Sequence, residues 1–147
     1  MSIMKWDEVN GVTDEKMKIE AFVTDSTDTY AILQLRYAEE SKSEMFEPYS
    51  ALQRNGVEPD IDHYEVVYEG LLLPYENQST MLEKLYAKFN TDRPSDFIGH
   101  SLSVSDVVML KENGMVSAHY VDSVGFTLLP EFYTKEIYFH HVHWNSG

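Results

Sequence analysis

The chain has 147 residues, no cysteine and a formal charge of −14, from 25 Asp and Glu against 11 Lys and Arg. The length suits one compact domain, and the missing cysteines exclude disulfide frameworks, thiolate catalysis and Cys-ligated metal centres. Hydrophobic residues at 43% and aromatics at 13% exclude a disordered composition.

The charge is uneven. Between residues 37 and 83, eleven acids face only two bases, Lys42 and Arg54, a net −9. Such a field repels a phosphate backbone, so nucleic acid is not expected as a direct ligand. The start "MSIMKWDEVNG" lacks a basic region followed by an apolar run. No apolar stretch approaches the ~20 residues of a membrane span. A cytoplasmic protein without membrane contact is expected.

In chain order, Lys18 to Val23 alternates and is expected as a short strand, with a turn over Asp25 to Asp28. "TYAILQLR", Thr29 to Arg36, is a strand with Ala31, Leu33 and Leu35 on one face and Tyr30, Ile32, Gln34 and Arg36 on the other. "FEPYSALQRNG" predicts a short helix opened by Pro48, with Tyr49, Leu52 and Gln53 on one face, and closed by Asn55-Gly56. "HYEVVYEG" predicts a strand with Tyr64, Val66 and Tyr68 on one face; Glu65 and Glu69 flank Val67 on the other.

"STMLEKLYAKFN" predicts the long helix. Thr80 and Glu83 suit a capping box, and Leu82, Leu85, Tyr86 and Phe89 form the stripe to be buried. Val104 to Leu110 predicts a strand, Asn113-Gly114 a tight hairpin turn and Met115 to Asp122 the returning strand. A turn over Asp122 to Gly125 leads to a last strand, Phe126 to Leu129. The tail "KEIYFHHVHW" alternates like a terminal strand. The expected fold is α+β: a mainly antiparallel sheet with one long and one short helix packed on one face, ending in a β-meander.

Three constellations invite chemistry. "GHSLS" is not a nucleophile elbow, because Ser103 replaces the last glycine. His100, Ser101, Ser103, Asp106, His119 and Asp122 could converge across the hairpin as a hydrolase site. Ser and Asp satisfying local backbone where a loop enters a strand is the favoured reading. In a terminal strand His141 and His143 would share a face ~7 Å apart, with His140 turned away; two imidazoles alone do not make a metal site. Asp25, Asp28, Asp60 and Asp62 do not fit a calcium loop and read as turn formers. No phosphate-binding glycine motif occurs, and no cofactor is expected. Tyr64, Tyr68 and Tyr120 are expected in the core.

Taken together, "TYAILQLR", "MFEPYSALQRNG", "HYEVVYEGLL", "LEKLYAKFNTDRPSDFIGHSLSVSDVVML" and "AHYVDSVGFTLLPEF" resemble the YodL-like domain over Thr29 to Phe132. The most specific residues are Gly99, His100, Ser101, Ser103 and Asp106, then Tyr120, Asp122, Gly125 and Phe126. Residues 1–28 and 133–147 lie outside the resemblance, as an N-terminal extension and a C-terminal tail. The resemblance implies a setting in plasmids, conjugative elements and phages of gut Firmicutes, alone or beside antirestriction, helicase or relaxase modules. It transfers no catalytic residue. Setting and charge together lead to an expected non-enzymatic accessory protein. It would bind a basic protein surface, such as the nucleic-acid groove of a host defence enzyme, in the manner of an antirestriction or anti-CRISPR DNA mimic. Glu58, Asp60, Asp62, Glu65 and Glu69 are the expected contacts. An interaction module of the element's own replication or transfer machinery is the alternative, and a hydrolase ranks last.

Overall fold

A computed structural model describes residues 15–36, 42–72, 77–97 and 99–133. Helix α1 (residues 15–24) leads into β1 (Thr29–Leu35). Helix α2 (Tyr49–Arg54) and a single 3-10 turn (Ile61–His63) precede β2 (Tyr64–Leu71). Helix α3 (Gln78–Thr91) precedes β3 (Val107–Glu112), β4 (Met115–Val121) and β5 (Phe126–Leu128). The strands form one antiparallel sheet in the order β2-β1-β3-β4-β5. The class is therefore α+β with a C-terminal meander, as the sequence implies.

The helices do not share one face. Ala31, Leu33, Val107, Met109, Ala118 and Tyr120 pack with Ile19 and Phe22 of α1 and Leu52 of α2. Tyr30, Ile32, Val108, Leu110 and Val121 pack with Met81, Leu82, Leu85 and Phe89 of α3. The reason lies in the central strands. Val107, Val108, Met109 and Leu110 are consecutive and all fully buried, so both faces of β3 need an apolar cover. Both β2 and β3 run antiparallel to β1, hence parallel to each other. Their connection must cross a sheet face, and α3 is that crossing.

Lys18 to Val23 is helical, not a strand. Ile19, Phe22 and Val23 stand at i, i+3 and i+4, and this spacing puts all three against the sheet. An ion pair from Lys18 to Glu15, at 3.0 Å, supports the exposed side. The end of α1 is closed from a distance. Lys111 of β3 is buried, and its ammonium donates to the carbonyls of Phe22, at 2.6 Å, and Asp25. It also lies 5.4 Å from the Phe22 ring centroid. A cation at a helix C-terminus satisfies carbonyls that have no partner within the helix.

Three smaller expectations change. The cap of α3 is Asn77, whose side chain accepts from the Thr80 N–H at 2.9 Å, so Thr80 lies inside the first turn and the Thr80–Glu83 box is not the cap. The buried stripe uses Met81 where Tyr86 was expected; Tyr86 is exposed. Pro48 caps α2 rather than entering it, and Gln53 is exposed while Ala51 is buried. The hairpin holds: Asn113 and Gly114 both have positive φ, 53° and 79°. The tail over 135–144, with His140, His141 and His143, lies outside the described residues.

Replacing Lys111 with Met keeps the stem and removes the donors to two carbonyls. The expected cost is about 2 kcal/mol in urea unfolding, with hydrogen-exchange protection lost first over residues 15–24. An unchanged midpoint and unchanged protection would show that Lys111 does not hold α1.

Candidate functional site

The signature run Gly99 to Asp106 packs against the end of β1. Gln34 grips it with both ends of its amide. Its Oε1 accepts from the His100 N–H at 3.1 Å, and its Nε2 donates to the His100 carbonyl at 2.8 Å and to Asp106 Oδ2 at 3.1 Å. The Ser103 N–H adds a second bond to Oδ2 at 2.8 Å. A β-carbon on Gly99 would stand 2.2 Å from Gln34 Oε1, so only glycine allows this approach.

His100 Nδ1 lies 2.7 Å from the Ser101 carbonyl. Gln34 Nε2 lies 3.3 Å from the same Nδ1, and the ring's Nε2 faces Asp106 Oδ1, 3.9 Å away. The Ser103 hydroxyl donates to the same Ser101 carbonyl at 2.8 Å. Asp106 is almost wholly buried. Burial raises its carboxyl to about 8, against the lowering effect of the bonds from Ser103 and Gln34.

β3 starts at Val107 rather than Val104, because the chain turns before it. Ser105 has φ 85°, and the Asp106 N–H bonds back to the Ser103 carbonyl at 3.0 Å. Ser105 ties three segments. Its N–H donates to the Val121 carbonyl, its carbonyl accepts from the buried Tyr64 hydroxyl at 2.7 Å, and its Oγ accepts from the Phe46 N–H at 3.0 Å. Burial pushes the Tyr64 hydroxyl far above the ordinary phenol range.

The second half of the signature serves the other end of the same network. The Tyr120 hydroxyl donates to the Glu47 carbonyl at 2.6 Å. Asp122 Oδ1 accepts from the N–H groups of Tyr49, at 3.2 Å, and Ser123, at 2.8 Å; Oδ2 accepts from Thr127 at 2.7 Å. Burial opposes ionisation there, but these bonds hold the carboxyl below its ordinary value. Gly125 closes the turn at φ 69°, its carbonyl accepting from the Asp122 N–H. Phe126 packs edge-on against Tyr86, with ring centroids 6.4 Å apart.

The residues once considered for hydrolysis thus fall into separate groups. His119 is buried, with Nε2 2.8 Å from the Ser117 hydroxyl, and burial lowers its imidazole to about 4. Asp122 bonds to backbone and Thr127, and Ser103 to Ser101. His100 and Asp106 bring ring and carboxyl to 3.9 Å, while Ser101, Ser103 and Asp106 meet through backbone groups. Among the described residues, no cluster of three His, Asp or Glu could hold a metal ion.

The five expected partner contacts are all exposed. Glu58 accepts from the Tyr49 hydroxyl at 3.4 Å. Asp60 caps the 3-10 turn through the Asp62 N–H at 2.9 Å, and Arg36 donates to the Asp62 carbonyl. Glu65 and Glu69 belong to β2, which is an edge strand. They do not share a face. β1 and β2 slip at Ile32/Leu33, so Glu65 stands opposite Gln34 and Glu69 opposite Ala31, on opposite sides of the sheet. The same bulge sends Val66 to the α1 face and Tyr68 to the α3 face, contrary to simple alternation. Partial desolvation raises both carboxyls, and Glu15 adds to the effect at Glu65.

Sequence reasoning passed over Gln34, Glu44, Phe46, Ser105 and Lys111. For Gln34 there was a signal: an uncharged polar residue continuing the Tyr30, Ile32 face of an otherwise apolar strand.

The network sits in a small α+β domain built on one five-stranded antiparallel sheet. The YodL-like domain family matches residues 29–132, and the chain belongs to that family. Neither a curated protein nor a solved structure matches the chain significantly. Among the described residues, no helix is long and apolar enough to cross a membrane.

Gly99→Ala is expected to break the Gln34 grip and cost about 1–3 kcal/mol, since a buried amide loses its partners; a melting temperature equal to wild type would refute it. The two shifted groups give opposite pH slopes. Asp106 has a raised folded pKa, so it is most compatible with the fold below about 4 and opposes it increasingly as pH rises to about 8. His119 has a lowered folded pKa, so its stabilising effect is present above about 6.5 and is lost as pH falls to about 4. Melting curves of Asp106→Asn should gain on wild type between pH 5 and pH 8, roughly the window of the shift. Parallel curves would rule out an elevated Asp106.

Proposed function

We propose that the chain is a non-enzymatic accessory protein of a mobile genetic element that binds a basic protein surface. The partner class that fits is a nucleic-acid-binding host defence enzyme, whose groove lysines and arginines the carboxylates would occupy. One observation carries the reading. Glu58, Asp60, Asp62, Glu65 and Glu69 are exposed along the loop into β2 and along the sheet's edge strand, with no Lys or Arg between residues 58 and 69. Complementary fields of this kind speed encounter and select partners, and they weaken with salt.

The bulge shapes the proposal. With Glu65 and Glu69 on opposite faces, the acids wrap an edge rather than form a flat stripe. A partner would therefore receive the edge in a cleft.

The test is capture of purified restriction enzymes and RNA-guided nucleases on immobilised protein. Retention at low salt, release at high salt and at least tenfold weaker retention by Glu58→Gln/Glu65→Gln/Glu69→Gln are expected. If no basic nuclease is held at low salt, the defence-enzyme reading fails. Selective retention of a relaxase or helicase from the same element would place the protein in transfer or replication instead.

A further inference from the structure

Phe46 carries two unfavourable features at once. Its backbone has φ 61°, a region that glycine or asparagine enters far more easily than a bulky side chain. The residue is 59% exposed. The ring's aromatic neighbour is His100, with centroids 6.0 Å apart and planes tilted by 55°.

The backbone around Phe46 is held from several sides. The Phe46 N–H donates to Ser105 Oγ, the Glu47 carbonyl accepts from the Tyr120 hydroxyl, and the Glu47 N–H bonds to the Glu44 carbonyl at 3.3 Å. Glu44 Oε2 lies 2.9 Å from His63 Nδ1. Such a loop can hold a left-handed residue. It does not require that residue to be phenylalanine, and glycine would satisfy the backbone better. The aromatic ring must therefore be accounted for by what it offers outward.

Two acids flank it in sequence. Glu47 is adjacent and exposed. Glu44 is buried, and its Oε1 has no hydrogen-bond partner among the described residues. A rigid, exposed aromatic face next to an exposed acid suits a planar cation.

We propose that Phe46, backed by His100, is an anchor on which an arginine of a basic protein partner stacks, with Glu47 as its counter-charge. This rests on the basic-partner reading above and gives it a second, side-chain-specific contact away from the β2 edge. It also assigns His100, a signature residue, a role in positioning the ring.

The test measures binding of fluorescein-labelled octa-arginine and octa-lysine peptides to the full chain at low salt. Wild type should prefer the arginine peptide about three- to fivefold, the scale of one exposed cation–π contact. Phe46→Gly should lose that preference while melting at or above the wild-type temperature, because glycine relieves the backbone. The Glu58→Gln/Glu65→Gln/Glu69→Gln variant should weaken both peptides and keep the preference. If Phe46→Gly retains the preference, or melts lower and weakens both peptides equally, Phe46 is not an arginine anchor. If wild type binds neither peptide, the basic-partner reading fails together with this one.

Discussion

The central pair of strands, β1 and β3, is apolar on both faces, and the rest of the fold answers that constraint. A strand with two apolar faces needs two covers. Helices α1 and α2 provide one and α3 the other. The crossing of α3 follows from the antiparallel pairing of β1 with both its neighbours. So does the importance of residues ahead of position 29. Ile19 and Phe22 complete one core, and Lys111, itself buried, reaches out of the central strand to close α1. The N-terminal segment is thus part of the domain's packing, although the family match begins at residue 29.

The polar network at the end of β3 is the second consequence. A loop entering a doubly covered strand carries backbone groups out of water, and each needs a partner. Gln34, Asp106 and Ser105 supply these partners, at the cost of a buried carboxyl and a left-handed serine. The signature motif is therefore explained largely by structure. Gly99 allows Gln34 in, Asp106 receives Ser103, and Asp122 fastens the turn to the start of α2. The exceptions face outward: His100 is roughly half exposed, and Phe46 stands beside it.

Charge is distributed by the same geometry. Glu65 and Glu69 lie on the sheet's β2 edge, where unpaired backbone groups would otherwise invite another strand, and Glu58, Asp60 and Asp62 lie in the segment that leads into it. Glu15 occupies one of those groups, accepting from the Val66 N–H at 2.7 Å. Charged side chains on such an edge discourage strand addition.

Most elements were legible in the sequence because their signals are local. The alternation of Thr29 to Leu35, the periodicity of Leu82 to Phe89 and the Asn113-Gly114 turn each depend on residues a few positions apart. The segment around Ile19 was misread for the converse reason. Six residues fit both a short alternation and a single helical turn, and only the sheet face that receives Ile19 and Phe22 decides between them. Tyr68 and Glu69 were placed on the wrong faces because one extra residue in β2 reverses every side chain beyond it, and a bulge has no signature until the partner strand is present. The sequence alone determined the class, the acidity and the family. Tertiary structure decided which face each helix covers, that Asp106 and Lys111 are buried, and that Phe46 is held outward. Those properties depend on contacts between residues tens of positions apart, which no local pattern records.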